Sequence, residues 1–185
     1  MFPYRSHIYV DTRACFMLAL MLLLLPFPWV VSVLIAIIVH ECFHAAAITL
    51  LSGRVLALYI GADGMRMETE PLTHGREALA ALAGPLGSAC LTLLAPWMPR
   101  IAICGLVHCV FNLIPIYPLD GGRVLFDLVA MQFPGKRGNH LFTAIQNIIR
   151  ILIIFLSGFF GFWWGLLPAI VPVLLMKRKR VHRTV

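Results

Sequence analysis

Long apolar stretches dominate this chain, and short segments that hold the prolines, glycines and charges separate them. One stretch runs from Trp29 to Leu51 and ends before Gly53. Its length is close to the ~20 residues that a helix needs to cross a bilayer. Comparable stretches cover about Ala14 to Leu25, Glu77 to Trp97 and Ile101 to Tyr117. The pattern predicts an all-α, polytopic membrane protein.

The last apolar region permits two interpretations. Between Arg150 and Lys177 the chain is apolar but interrupted by glycines and prolines. It could form one span, giving five crossings, or the later of two spans, the earlier beginning near Asn139 and carrying Arg150. Six crossings place the basic run Lys177–Arg180 on the same side as most other basic residues, the cytoplasmic side by the positive-inside rule. Charge therefore favours about six transmembrane helices.

Two shorter segments have other patterns. Val55 to Ile60 and Met65 to Glu70 flank the turn residues Gly61 to Gly64, which predicts a small β-hairpin after the second span. Gly121 to Phe133 is predicted to be an amphipathic helix on the cytoplasmic side.

Composition supports a membrane domain. Of the 185 residues, 61% are hydrophobic and 12% are charged, about half the charged fraction usual in soluble domains. We expect one domain over 1–185, with no PDZ or nucleotide-binding regulatory domain. The net charge of +7 does not indicate nucleic acid, because the basic residues border apolar segments and no nucleic-acid-binding module is visible. The five cysteines form no Cys-x-x-Cys pair, so they read as buried thiols.

The sequence His40-Glu41-Cys42-Phe43-His44 lies inside the second apolar stretch. On a helix, His40 and His44 share one face, where both imidazoles can reach one zinc ion. Glu41 is then close enough to accept a proton from an attacking water. Ionisable residues at membrane depth are costly unless they are paired, bind metal or line a cavity. A functional site is therefore the expected interpretation.

A hydrolytic zinc site usually has three protein ligands, and we expect Asp120 to be the third. The fourth span returns toward the side of His44 and leads into the segment Asn112 to Gly122. Pro115 and Pro118 break the helix there, which is tolerated at membrane depth where the backbone is packed by protein or lines a cavity. The alternative role for Asp120 is that of a helix-capping turn residue.

Three motifs now occur in order: His40-Glu41-x-x-His44, Ala83-Gly84-Pro85-Leu86-Gly87-Ser88, and Asn112-x-x-Pro115-x-x-Pro118-Leu119-Asp120-Gly121-Gly122-Arg123. In these motifs the chain resembles the site-2-type intramembrane zinc proteases. It is most similar to their sporulation type, which cuts the pro-sequence from a membrane-associated sigma factor. That type carries a C-terminal nucleotide-binding regulatory domain, for which this chain has no room.

The resemblance implies a set of further properties. Asp120 would complete the zinc site, and the site would open toward the cytoplasm. The protein would be a multi-pass protein of the bacterial inner membrane, or of the membrane that surrounds the forespore if it is of the sporulation type. The partners would be a membrane-associated protein substrate and small inhibitory membrane proteins.

The expected roles of the remaining residues are less specific. Glu41 is the expected general base. Asn112 is a candidate for stabilising the oxyanion or gripping the substrate backbone, and its alternative role is to bond the broken helix end. His108 is expected to be a neutral, satisfied core histidine, and its alternative is a supporting or regulatory role beside the site. Asp127 is predicted to lie on the surface of its helix, and His74 is predicted to be solvated.

Two other classes of protein fit the sequence less well. A metal-ion transporter would line ligands along a pathway through both leaflets, whereas these candidates cluster near one side. A catalytically silent scaffold of the same fold has no need of intact His40, Glu41, His44 and Asp120. Other His-Glu-x-x-His proteases use a downstream glutamate as third ligand, but no acidic residue follows Asp127. The sequence therefore predicts a zinc metalloendopeptidase that performs regulated intramembrane proteolysis. We expect an unwound substrate to add as a strand to the edge of the hairpin.

Overall fold

The computed structural model describes residues 7–61 and 64–164. This part of the chain forms helices and one small sheet. The elements in chain order are β1 His7–Val10, α1 Thr12–Leu24, α2 Phe27–Leu50, β2 Val55–Gly61, β3 Gly64–Thr69, α3 His74–Cys90, a 3₁₀ turn Leu91–Leu94, α4 Pro99–Asn112, α5 Asp120–Gln132 and α6 Lys136–Trp164.

Three of these helical segments are long and apolar enough to cross a membrane: Phe27–Leu50, His74–Leu94 and Lys136–Leu156. The helices α1 and α4 are apolar but shorter. The mostly helical architecture is confirmed, while the count of about six spans stays a prediction. Helix α6 carries Arg150 inside it, as the two-span interpretation expects. The basic run at Lys177–Arg180 lies outside the described residues.

The helix α2 has well-defined ends, and these fix the position of the histidine motif along it. Pro28 lies in the first turn, where its missing N–H leaves no intrahelical bond unmade. At the other end, Ser52 adopts a φ of 63°, and the N–H of Gly53 donates to the carbonyl of Ile48 at 2.8 Å. A left-handed residue of this kind ends a helix and turns the chain. The chain then enters β2.

The sheet contains the predicted hairpin and one strand that was not predicted. Strands β2 and β3 pair antiparallel, and β1 pairs parallel with β2, so the order is β1-β2-β3. Val10 lies opposite Ile60, and the rings of Tyr9 and Tyr59 stack with centroids 4.9 Å apart. The outer edge of β2 is thus covered by β1. Among the described residues, β3 is left as the open edge of the hairpin.

The helices pack around α3, which contacts α2, α4 and α5. Small buried residues make this possible, among them Ala81, Gly84, Gly87 and Ser88. A Cβ on Gly87 would lie 2.4 Å from Cγ of Phe43 in α2. Close approach through small residues is the usual way in which membrane helices associate. It brings α3 directly against the histidine face of α2.

The cysteines only partly match the expectation of buried thiols. Cys104 and Cys109 are buried in α4, whereas Cys15, Cys42 and Cys90 are exposed on the outer faces of their helices. All five are free thiols. The apolar neighbours along the chain suggested burial, but a residue on the outer face of a membrane helix can have the same neighbours.

Candidate metal centre

His40 and His44 lie on the buried face of α2. They are 3% and 6% exposed, and their rings meet edge to face with centroids 4.6 Å apart. Their Nε2 atoms are 3.0 Å apart. The four-residue spacing has therefore placed both imidazoles at one point, as the helical pattern predicts.

Asp120 reaches the same point from the first residue of α5. Its Oδ2 lies 2.9 Å from Nε2 of His40 and 3.0 Å from Nε2 of His44. We call these three atoms the ligand triangle. The other carboxylate oxygen, Oδ1, accepts a bond of 3.5 Å from Nη1 of Arg123. Asp120 is 6% exposed, so the chain buries an acidic group against two histidines.

The second nitrogen of each imidazole has a partner on α3. Nδ1 of His44 donates to the carbonyl of Ala80 at 2.7 Å, and Nδ1 of His40 lies 2.9 Å from Oγ of Ser88. A carbonyl can only accept, so the proton of a neutral His44 sits on Nδ1 and the lone pair of Nε2 faces the triangle. Metal-binding histidines are typically oriented in this way by a second hydrogen bond.

The donor set of the ligand triangle fits a cation of the zinc type. Two imidazole nitrogens and a carboxylate oxygen, all acceptors in their ordinary metal-binding forms, meet within 4.8 Å of one another. Ligand atoms around a tetrahedral zinc lie about 3.3 Å apart, close to the observed separations. At a buried point, three acceptor atoms can lie this close together only when a proton or a cation lies between them.

Gly84 lets α3 approach the triangle closely. A Cβ at this position would lie 2.2 Å from Nε2 of His44 and 2.7 Å from Nε2 of His40. No side chain can occupy that volume without displacing both histidines. The close approach of α3 thus brings the orienting groups Ala80 and Ser88 to the two imidazoles, with no side chain at position 84.

Glu41 and His108 complete the surroundings of the triangle. Glu41 is half-buried next to His40 and interacts electrostatically with His44 and Asp120. The ring of His108 meets that of His40 edge to face with centroids 4.6 Å apart. His108 therefore lies next to His40, where it can support the site, and this is the alternative that the sequence left open. It also lines a cavity of about 330 Å³ between α2 and α4.

Asn112 bonds the backbone of its own helix in this structure. It is the last residue of α4, and its Nδ2 donates to the carbonyl of His108 at 3.0 Å. This contact matches the alternative role, in which the amide bonds the backbone of its own helix. A role for Asn112 in catalysis stays a prediction.

Asp127 is not a surface group, contrary to the interpretation from the sequence. It is 3% exposed, and its Oδ1 lies 2.8 Å from Nδ1 of His74, at the start of α3. The reason is helical geometry, since Asp127 follows Asp120 by two turns and shares the face of α5 that packs on α3. The pair links α3 to α5 two helical turns along α5 from Asp120.

Sequence reasoning also missed Gln146, which lies on α6 and is 3% exposed. Its side-chain amide binds the proline-containing loop between α4 and α5 at Pro115 and Tyr117. A signal was present, because a polar residue within an apolar membrane helix usually faces the protein interior. No such signal identified Ser88 and the Ala80 carbonyl as the hydrogen-bond partners of the two histidines.

Comparisons with known proteins find similarities in both sequence and fold. Residues 69–157 match the model of peptidase family M50, a range that includes Asp120 but neither His40 nor His44. The chain is 28% identical to Stage IV sporulation protein FB of Bacillus subtilis (strain 168) over 149 residues, covering 63% of this chain and 50% of that protein. The chain thus spans half the length of this curated relative.

The site-2 protease from Methanocaldococcus jannaschii has a similar solved structure, with a TM-score of 0.69 at 18% identity. The alignment covers 94% of this chain and 89% of that one, so the two share a fold. The chain is similar to the site-2-type proteases. It is also similar to a sporulation protein, and the resemblance inferred from the three motifs is confirmed.

Proposed function

We propose that this protein is a zinc-dependent endopeptidase that cleaves peptide bonds within or beside the membrane. The observation that carries the proposal is the buried ligand triangle of His40, His44 and Asp120 with Glu41 beside it. These three residues would hold the zinc ion. When bound, zinc polarises a carbonyl and makes water a better nucleophile near neutral pH.

The residues of the chain then share the work of hydrolysis. Glu41 accepts a proton from the attacking water while the water oxygen bonds to the scissile carbonyl carbon. As the C–N bond breaks, Glu41 returns that proton to the leaving nitrogen, so the products are a carboxylic acid and an amine. Ser88 and the Ala80 carbonyl hold the two imidazoles in place throughout. Burial of the site limits water to the molecules that react.

The proposed substrate is a membrane-associated protein, the pro-sequence of a sigma factor being the specific candidate. The similarity to a protein named for sporulation supports this choice. A helical substrate must unwind before its carbonyls can be attacked, and the open edge of β3 offers backbone groups for the unwound segment. Small inhibitory membrane proteins are the proposed regulators.

We also propose a multi-pass location in the bacterial inner membrane with the site toward the cytoplasm. The support is the position of Arg54, Arg76 and Arg123. These follow or lie near the end of α2 that carries His44, and positive charge marks the cytoplasmic side. A metal-ion transporter is less well supported, since among residues 7–61 and 64–164 the candidate ligands form one buried cluster.

Cleavage of a single-span peptide by the purified full chain in detergent with zinc tests this function. In water enriched in ¹⁸O, mass spectrometry should find two products, with one heavy oxygen in the new carboxyl group. Glu41→Gln should retain zinc but give no product. The matched control is Asp11→Asn, which alters an exposed ion pair with Arg13 and should leave cleavage unchanged. Equal cleavage by Glu41→Gln would overturn the proposed role of this residue.

A further inference from the structure

The loop between α4 and α5 is held by one side chain from α6. Nε2 of Gln146 donates to the carbonyl of Pro115 at 2.8 Å, and Oε1 accepts from the N–H of Tyr117 at 3.0 Å. Donor and acceptor of the same amide are both used, and the residue is 3% exposed. The side-chain amide of Gln146 thus bonds the loop as the backbone of a neighbouring strand would.

This loop has few other ways to fix its backbone. Pro115 and Pro118 have no N–H to donate. Inside the loop, the N–H of Ile116 donates to Ile114 at 2.7 Å, and that of Leu119 donates to Ile116 at 2.9 Å. The two bonds from Gln146 therefore equal in number these two bonds within the loop.

The same loop lies directly against the first turn of α5. A Cβ on Gly122 would fall 2.2 Å from the backbone N of Tyr117, and one on Gly121 would fall 2.2 Å from the carbonyl oxygen of Leu113. With contacts this close, a shift of the loop must shift the first turn of α5. Asp120 is the first residue of that turn.

We propose that Gln146 is a positioning residue for Asp120. The position of α6 would then affect the ligand triangle through the hydrogen bonds of Gln146. The inference rests on the proposed metal-binding role of Asp120. The face of α6 that includes Gln146 also carries Phe142, whose ring lies 5.1 Å from that of Phe126 on α5. Phe142 packs α6 on α5 but has no side-chain group that can hydrogen-bond to the loop backbone. Helix docking and loop positioning can therefore be tested separately.

The test is the zinc dissociation constant of the purified full chain, measured in detergent by competition with a chelator. Gln146→Leu keeps the volume and removes both hydrogen bonds, and should weaken zinc binding about 10- to 100-fold, as for other groups that orient metal ligands. Gln146→Glu still accepts from Tyr117 and should recover part of that loss. Gln132→Leu makes the same change at an exposed position on α5 and should bind zinc like the wild type.

A second comparison distinguishes positioning from simple helix docking. Phe142→Ala should lower the thermal stability of the protein but leave the zinc dissociation constant within about threefold of the wild type. Wild-type affinity in Gln146→Leu would overturn the inference, as would an equal loss of affinity in Phe142→Ala. If the wild type itself binds no zinc, the proposed function fails as well. If Asp120→Ala loses zinc while Gln146→Leu keeps it, only the positioning role fails.

Discussion

Oγ of Ser88 lies 2.9 Å from Nδ1 of His40, on the side of the ring that faces away from the ligand triangle. The two residues are 48 positions apart in the chain and belong to different helices. The contact fixes the rotation of one proposed ligand from a neighbouring helix. It also gives the Ala83 to Ser88 motif a direct connection to the metal centre, beyond helix packing.

Removal of this hydroxyl should loosen the site without unfolding the protein. Ser88→Ala leaves the ring of His40 free to turn, and we expect zinc affinity to fall about tenfold, in the range for groups that orient metal ligands. Ser32→Ala is the matched control, because Ser32 is buried on α2 and donates only to Pro28 of its own helix. Equal zinc dissociation constants for the wild type and Ser88→Ala would contradict the orienting role.

A single added methyl group at Gly84 should abolish metal binding. In Gly84→Ala the new Cβ would meet Nε2 of His44 and of His40 well inside contact distance, so one or both rings must move. We expect zinc content near zero and a destabilisation of about 1–3 kcal/mol from overpacking.

Gly75→Ala is the control for this substitution on the same helix. Its Cβ would meet only the side chain of Met131, at 3.8 Å, which is ordinary contact. Zinc content should stay at the wild-type level, and thermal stability should not fall, because alanine favours a helix over glycine by about 1 kcal/mol. Zinc retained in full by Gly84→Ala would contradict the close approach of α3 to the two histidines.

The pair of Asp127 and His74 should contribute to stability more than to metal binding. Asp127→Ala leaves His74 without this buried acceptor and should lower the free energy of unfolding by about 1–3 kcal/mol. Asp127→Asn keeps an acceptor oxygen and should recover much of that loss. Thermal unfolding in detergent measures both variants. A melting temperature of Asp127→Ala equal to that of the wild type would contradict the clamp between α3 and α5.

The sequence predicted those parts of the structure that have a periodic or motif signal. The Trp29 to Leu51 run and the four-residue spacing of His40 and His44 indicated a membrane helix with two ligands on one face. The turn residues after Ile60 indicated the hairpin. Asp120 was inferred from its place after a broken helix and from the family resemblance.

Contacts between distant segments had no comparable signal. Strand β1 is four residues long and forms only because β2 is available to pair with it. The burial of Asp127 depends on the packing of α5 on α3, and the bonds of Gln146 depend on the path of a proline-containing loop. Such tertiary relationships follow from how helices pack, and local sequence patterns do not encode them.

The zinc content of detergent-purified protein tests the central claim most directly. It should be compared among the wild type, Glu41→Gln, His44→Ala and Asp120→Ala. The account predicts about one zinc per chain in the first two and loss or sharp weakening of binding in the last two, because a site with three protein ligands does not hold the ion on two. Full zinc in Asp120→Ala, or none in the wild type after reconstitution, would contradict the account.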